Sequence, residues 1–308
     1  MDSLKRQVLP GQLAVVATPI GNLDDLSPRA KQVLTEADAV LCEDTRRTAR
    51  LIAGSLIDRP ISGLERFDAH ASAGKVATFV ARLLAGESLA VVTDAGTPGI
   101  SDPGALLVAA AREAGVTVVT IPGPSAVMAL LSVSGFGETA FAFRGFFPRK
   151  DSDRETELKT AAASTQVRVW VWFESPERIL KSLQKVAEVS PDARVVAAKE
   201  LTKLHERIFA GGAEAVSEAI AQEVENSGTR GEWCFAVQFP QAAGDTEFSG
   251  TGLPSLNSSE WVKALLCLKD AGVPASESVK HVCRHYDVPR NVVYESAVKI
   301  FQKSGEGY

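Results

Sequence analysis

Four short apolar runs, each followed by a turn-forming stretch and then a helical pattern, set the tightest limit on how this chain can fold. Leu13–Ala17, Ala39–Cys42, Leu89–Val92 and Val116–Ile121 are too short for helices and have no polar alternation. Runs of that kind, flanked by turns, read as strands buried on both faces with crossover helices between them. Helical patterns fill the gaps. Ser27-Pro28 opens one through Ala37, with serine to cap the free N–H groups and proline suited to the first turn. Others start at Thr45, span Ala73–Leu84 and Pro103–Ala114 (ended by Gly115), and cover Ser125–Ser132. The expected class is α/β, with ligands bound where glycine and proline loops leave the strand ends.

The stretch Arg144–Arg154, RGFFPRKDSDR, is polar, basic and proline-containing, and reads as a linker. A second α/β unit follows, with strands expected at Val167–Phe173, Arg194–Ala198, Ile208–Ala210 and Cys234–Phe239 and helices at Pro176–Val186 and from Glu214. Gln241–Ser258 is rich in Gly, Ser, Thr and Asn and reads as a flexible spacer. Three helical segments close the chain, scanning as helix, turn, helix from Ala275; Trp261, Ala264, Leu265 and Leu268 share a face of the first. The expected organisation is therefore an α/β domain over 1–143, a linker over 144–154, a second α/β domain over 155–240, a flexible linker over 241–258 and a helical, helix-turn-helix-like module over 259–308.

A chain of 308 residues is long enough for two or three cores. Its net charge of −5 supplies no global field for nucleic acid, so any such contact must come from local patches. The four cysteines, Cys42, Cys234, Cys267 and Cys283, form no C-x-x-C pair, which argues against a disulfide framework or a structural zinc site. His281 and His285 lie four apart around Cys283 but lack a second Cys pair or a carboxylate, so no metal is expected. No apolar run approaches a membrane span, and a reducing cytoplasm is the expected compartment.

The loop Thr93–Gly104, TDAGTPGISDPG, carries the most chemical information. Gly96, Gly99 and Gly104 permit close backbone approach, Pro98 and Pro103 stiffen the path, and no Lys or Arg occurs anywhere from Leu83 to Ala111. Phosphate sites normally recruit cations or a helix N-terminus. Here Asp94 and Asp102 would repel a phosphate and tolerate a neutral, hydroxyl-rich or cationic ligand. S-adenosylmethionine, with a sulfonium, an ammonium and ribose hydroxyls, is of that kind. Two further loops, Thr18-Pro19-Ile20-Gly21-Asn22 and Ile121–Ala126, also follow strand ends, and three such loops point to one shared cleft.

The motifs TPIGNL, CEDTRRT, VVTDAGTPGISDPG, IPGPSA, GFFP, ESPERI and KELTK occur in this order across Thr18–Lys203. In this the chain resembles the ribosomal RNA small subunit methyltransferase I family, within the tetrapyrrole methylase superfamily. It departs from the common pattern at Thr93, Glu177 and Lys199. The resemblance implies two α/β domains of the tetrapyrrole methylase type with S-adenosylmethionine in the cleft between them, a homodimer, and methylation of a cytidine ribose 2′-oxygen in the decoding region of small-subunit rRNA. By family position it implies donor contacts from Pro19, from Asp94, Ala95, Gly96, Thr97, Pro98, Ile100, Ser101 and Asp102, and from Pro122, Gly123, Pro124, Ser125 and Ala126.

Two polar clusters are candidates for handling the acceptor. Glu43 and Asp44 follow a strand end, with Arg46 and Arg47 placed to hold RNA phosphate. Lys199 and Glu200 open KELTK, and Arg149 and Lys150 add a second basic pair. A ribose hydroxyl is a very weak acid, so an acid such as Glu43, Asp44 or Glu200 is expected to take its proton, with Lys199 stabilising the alkoxide. Two alternatives stand beside this reading: the same fold methylating a carbon of a tetrapyrrole, and a metabolite-sensing helix-turn-helix regulator. The basic residues favour RNA over a tetrapyrrole. The tail from Ser255 has seven Lys or Arg against six Asp or Glu, a weak charge for independent DNA binding.

Overall fold

The computed structural model describes residues 7–68, 71–99, 104–240, 260–286 and 290–302. Its first unit runs β1 (Gln12–Val16), α1 (Pro28–Glu36), β2 (Ala39–Cys42), α2 (Thr45–Gly54), β3 (Leu64–Arg66), α3 (Ala73–Leu84), β4 (Leu89–Val91), α4 (Gly104–Glu113) and β5 (Thr117–Ile121). The strands pair in the order β3-β2-β4-β1-β5, all parallel. Both faces are covered, which is why β1, β2 and β4 read as continuous apolar runs. Ala14, Val16, Val40 and Ala90 pack with Val33 and Leu34 of α1, while Leu13, Leu41 and Leu89 pack with Phe79, Leu83 and Leu107 of α3 and α4. The helix starts follow their capping residues: Ser27 accepts from the Ala30 N–H, Asp44 from Arg46 and Ser72 from Lys75. Because every strand runs the same way, the segments after β1, β2, β4 and β5 all emerge at one edge.

After α5 (Ala126–Ser132), the second unit runs β6 (Phe141–Phe146), α6 (Asp151–Ala162), β7 (Val169–Glu174), α7 (Ile179–Val189), β8 (Arg194–Lys199), β9 (Arg207–Gly212), α8 (Ala213–Ser227) and β10 (Trp233–Gln238). Its sheet has the order β6-β7-β10-β8-β9. Only β6 and β7 are parallel; the other neighbours are antiparallel. Residues of α6, α7 and α8 cover one face through Leu158, Leu183, Val216 and Ile220. The other face packs against Val127 and Leu130 of α5.

Two differences from the sequence reading have physical reasons. The stretch 144–154 is not a linker: it holds the end of β6 and the start of α6. Of its charged residues, Arg144 lies in β6, Arg149 and Lys150 precede α6, and Asp151 and Asp153 are exposed in the first turn of the helix, where the dipole favours acids. Strand β3 is a three-residue sheet edge, Leu-Glu-Arg, with no apolar run to betray it.

The tail forms α9 (Glu260–Asp270), α10 (Ala275–His285) and α11 (Arg290–Gln302) around its own core of Trp261, Val262, Leu265, Val279, Val282, Val293, Ala297 and Ile300. Lys269 ties α9 to α11 by donating to the Ile300 carbonyl at 2.8 Å. The expected spacer Gln241–Ser258 lies outside the described residues.

Candidate active site

Three loops at the edge of the parallel sheet are laced together. The Thr18 N–H donates to the Gly96 carbonyl at 2.9 Å and the Gly96 N–H returns a bond to Thr18 at 3.1 Å. The buried Thr18 hydroxyl also donates to the Thr93 carbonyl at 3.1 Å. The Thr97 hydroxyl donates to Pro124 at 3.1 Å, joining the second loop to the third. Gly96 has φ +84°, which side chains rarely adopt, and a Cβ on Gly123 would stand 3.0 Å from that of Ala17. Pro19, Gly96 and Pro98 are buried by the lacing, while Ala95, Pro122 and Gly123 remain exposed. Asp94, Thr97, Pro124, Ser125 and Ala126 are half-buried beside them, and Ser125 makes no capping bond to α5. The expected contacts Ile100, Ser101 and Asp102 lie outside the described residues.

The ends of β2 and β4 add a charged network. Glu43 accepts from the Thr93 hydroxyl and from the Asp94 N–H, the latter at 3.2 Å. Asp94 accepts the Asp44 N–H at 3.3 Å and pairs with Arg47 at 3.1 Å. Asp44 caps α2 and holds Arg46 through two side-chain bonds at 2.8 and 3.1 Å. The sequence suggested an acidic cradle with no cation. Tertiary structure supplies one from α2, because Arg47 reaches Asp94 although no cation is near it in sequence.

This network sets Asp94 and Asp44 apart in basicity. Burial is the largest influence on Asp94 and raises its pKa, outweighing Arg47. The Arg46 side-chain bond, followed by its backbone bond, holds Asp44 well below the usual carboxylate range. Asp44 is thus the poorer proton acceptor of the two.

The second polar cluster is largely structural. Lys199, buried to 6% exposure, pairs at 2.8 Å with the equally buried Glu223 of α8 and lies over the Trp233 ring. Val195 and Ala197 of the same strand belong to the core beneath α6–α8, whereas Val196 and Ala198 face α5. Strand alternation therefore puts Lys199 on the side away from α5, where its ammonium is engaged by Glu223. Glu200 has φ +55° and accepts from Lys203 and from the Glu232 N–H, both at 2.8 Å. Burial opposes ionisation of Glu200, but the Lys203 and Glu232 bonds prevail and lower its pKa. Its carboxylate braces a turn instead of standing ready to take a proton.

That turn joins the two units, a role the sequence reading missed. The Asn22 N–H donates to the Thr202 hydroxyl at 3.1 Å. A Cβ on Gly21 would stand 2.6 Å from that hydroxyl and 2.9 Å from the Leu201 carbonyl. The signal was present as a glycine in TPIGN without any ligand-binding reason for it. Two other expected features sit further out. Arg46 and Arg47 are exposed although paired, and Arg149 and Lys150 are exposed between β6 and α6. In ESPERI the buried Glu174 accepts from Ser175 and Ser182 at 2.7 and 2.5 Å and pairs with Arg178.

The loops fit a donor such as S-adenosylmethionine. They offer exposed backbone and small residues, and their one neighbouring network holds three carboxylates against two guanidiniums. Among the described residues no group of three or more His, Cys, Asp or Glu could hold a metal ion, and no helix is long and apolar enough to cross a membrane.

Residues 12–216 match the family of tetrapyrrole (corrin/porphyrin) methylases. A protein named ribosomal RNA small subunit methyltransferase I from Xylella fastidiosa (strain Temecula1) is 44% identical over 74% of this chain and 82% of its own length. A namesake from Synechocystis is 34% identical over 94% of this chain and 98% of its own length, so that match includes the helical tail. The crystal structure of diphthine synthase superposes with a TM-score of 0.52 at 12% identity, covering 74% of this chain and 89% of that one. That likeness concerns the fold alone, and a fold does not choose an acceptor.

Proposed function

Because this chain belongs to the ribosomal RNA small subunit methyltransferase I family of tetrapyrrole methylases, we propose that it transfers a methyl group from S-adenosylmethionine to a cytidine ribose 2′-oxygen in the decoding region of small-subunit rRNA. The observation that carries the reading is the lacing of three glycine–proline loops beside the Glu43–Asp94 network. When bound, the donor supplies an electrophilic methyl group on a sulfonium and needs no metal to activate it. The exposed backbone of Ala95, Pro122 and Gly123 would hold it, while Pro19, Gly96 and Pro98, buried by the lacing, keep that backbone in place. Asp94 and Glu43 are the acids assigned to the ribose proton. The raised pKa of Asp94 suits it to accept a proton late in transfer. Arg46, Arg47, Arg149 and Lys150 hold phosphates, giving salt-dependent affinity. The working unit in this reading is a cytoplasmic homodimer, and a monomeric mass by light scattering would remove the dimer.

The test is transfer of labelled methyl to isolated small ribosomal subunits, followed by nucleoside analysis. A 2′-O-methylcytidine is expected. Label found on a base, or transfer to a tetrapyrrole in place of rRNA, would overturn the assignment. Gly96→Val, which puts a side chain at φ +84°, should abolish donor binding in a protein that still folds. Wild-type donor affinity by calorimetry would move the donor elsewhere.

A further inference from the structure

GFFP has no role in the reading above, yet it places an aromatic side chain in an unusual position. Phe146 is 64% exposed, although it lies in a strand and contacts another ring. The register of β6 against β7 passes from Phe143–Val171 to Phe146–Phe173, so three steps on one strand match two on the other. Gly145, at φ +70°, absorbs the extra residue. Without this bulge Phe143 and Phe146 would point to opposite faces. With it, both meet Phe173, at centroid distances of 4.9 and 5.7 Å in edge-to-face geometry. Phe147 then turns into the opposite core, against Trp172 and Phe235. The bulge thus anchors one phenylalanine and presents the next.

Its location adds a direction. β6, β7 and β8 run the same way, so Phe146 shares an edge with Lys199 and the turn after it. That turn touches Gly21 and Asn22 of the donor-loop unit. In the order β6-β7-β10-β8, Phe146 is three strands from this joint, about 14 Å at ordinary strand spacing. Phe146 therefore stands to one side of the joint between the units, which suits a flanking nucleotide rather than the one held at the donor loops. Arg149 and Lys150, both exposed, follow within four residues. Arg144 is committed elsewhere, to Glu157 at 2.9 Å and the Trp170 ring.

We infer that Phe146, braced by Phe173 and followed by Arg149 and Lys150, is a stacking platform for an unpaired RNA base adjacent to the methylation site. The inference rests on the rRNA reading proposed above. Single-stranded RNA is held by aromatic faces for its bases and by cations for its phosphates, and this edge presents both.

The experiment compares methyl transfer to small ribosomal subunits by the wild-type protein, Phe146→Ala, Phe146→Leu, Phe146→Trp and Phe141→Ala. Donor calorimetry and thermal melts accompany each. Phe141 is a second exposed phenylalanine, at the far end of the same strand. Loss of one stacked base should lower kcat/KM by about five- to a hundredfold in Phe146→Ala and Phe146→Leu. Donor affinity should be unchanged, Phe146→Trp should retain turnover, and Phe141→Ala should match wild type. Wild-type turnover by Phe146→Leu, or a Phe146→Trp loss equal to that of Phe146→Ala, overturns the platform while leaving the rRNA reading intact. A wild-type protein that methylates no small-subunit rRNA overturns both.

Discussion

Glu223→Ala is the sharpest test of whether Lys199 serves the fold or the chemistry. The Lys199 and Glu223 side chains are each 8% exposed and pair at 2.8 Å. Deleting the carboxylate leaves a buried ammonium against the Trp233 ring, 5.8 Å from its centre. Breaking a buried pair from one side costs about 3–5 kcal/mol, because the surviving charge stays desolvated. Lys199→Met should cost less, about 1.5–3 kcal/mol, since Arg207 remains 3.6 Å from Glu223 and can turn toward it from a 63% exposed position. The double variant Lys199→Met/Glu223→Leu removes both charges and should be more stable than Glu223→Ala. Urea unfolding followed by tryptophan fluorescence reads this region, as Trp170, Trp172 and Trp233 all lie in the same sheet. A Lys199→Met protein with wild-type stability and donor affinity but no methyl transfer would refute the argument and return Lys199 to the chemistry.

Gly21→Val should lower both the melting temperature and donor affinity, because its Cβ would overlap Thr202 and the Leu201 backbone; overpacking of this kind costs about 1–3 kcal/mol. An unchanged melt would mean that the contact between the units is soft. Burial raises the Asp94 pKa above its ordinary 3.8, so the acid limb of the pH–rate profile should lie above that value and vanish in Asp94→Asn, if any rate survives. The same shift has a definite sign for stability. The protonated fold is favoured, so the Asp94 contribution is complete below the unfolded pKa and is lost as pH rises through the folded one; denaturation of wild type against Asp94→Asn between these limits checks it. Truncation after Pro240 should leave donor binding intact and weaken use of small subunits, as the tail has its own core; loss of donor affinity in calorimetry would make the tail part of the methylase body.

The α/β class, the buried strands and the helix starts were legible in local sequence because each rests on local physics. Apolar runs such as Leu89–Val91 bury on both faces, and Ser27, Asp44 and Ser72 cap the helices that follow them. The three loops were legible for the same reason, since Gly96 and its prolines constrain the backbone wherever they stand. Charge partnership was not legible. Arg47 meets Asp94, Lys199 meets Glu223, and Gly21 meets Thr202 across 47, 24 and 181 residues of chain. Spacing in sequence carries no record of such meetings. Lys199 sits in a motif that resembles a catalytic one, and only the alternation of β8 beneath α8 turned it inward. Phe146 needed even more: a bulge at Gly145 and a register against β7 decided which face it shows. Sequence determined which elements form and where their loops emerge; tertiary packing decided which charges those loops leave at the surface and which are paired inside the fold.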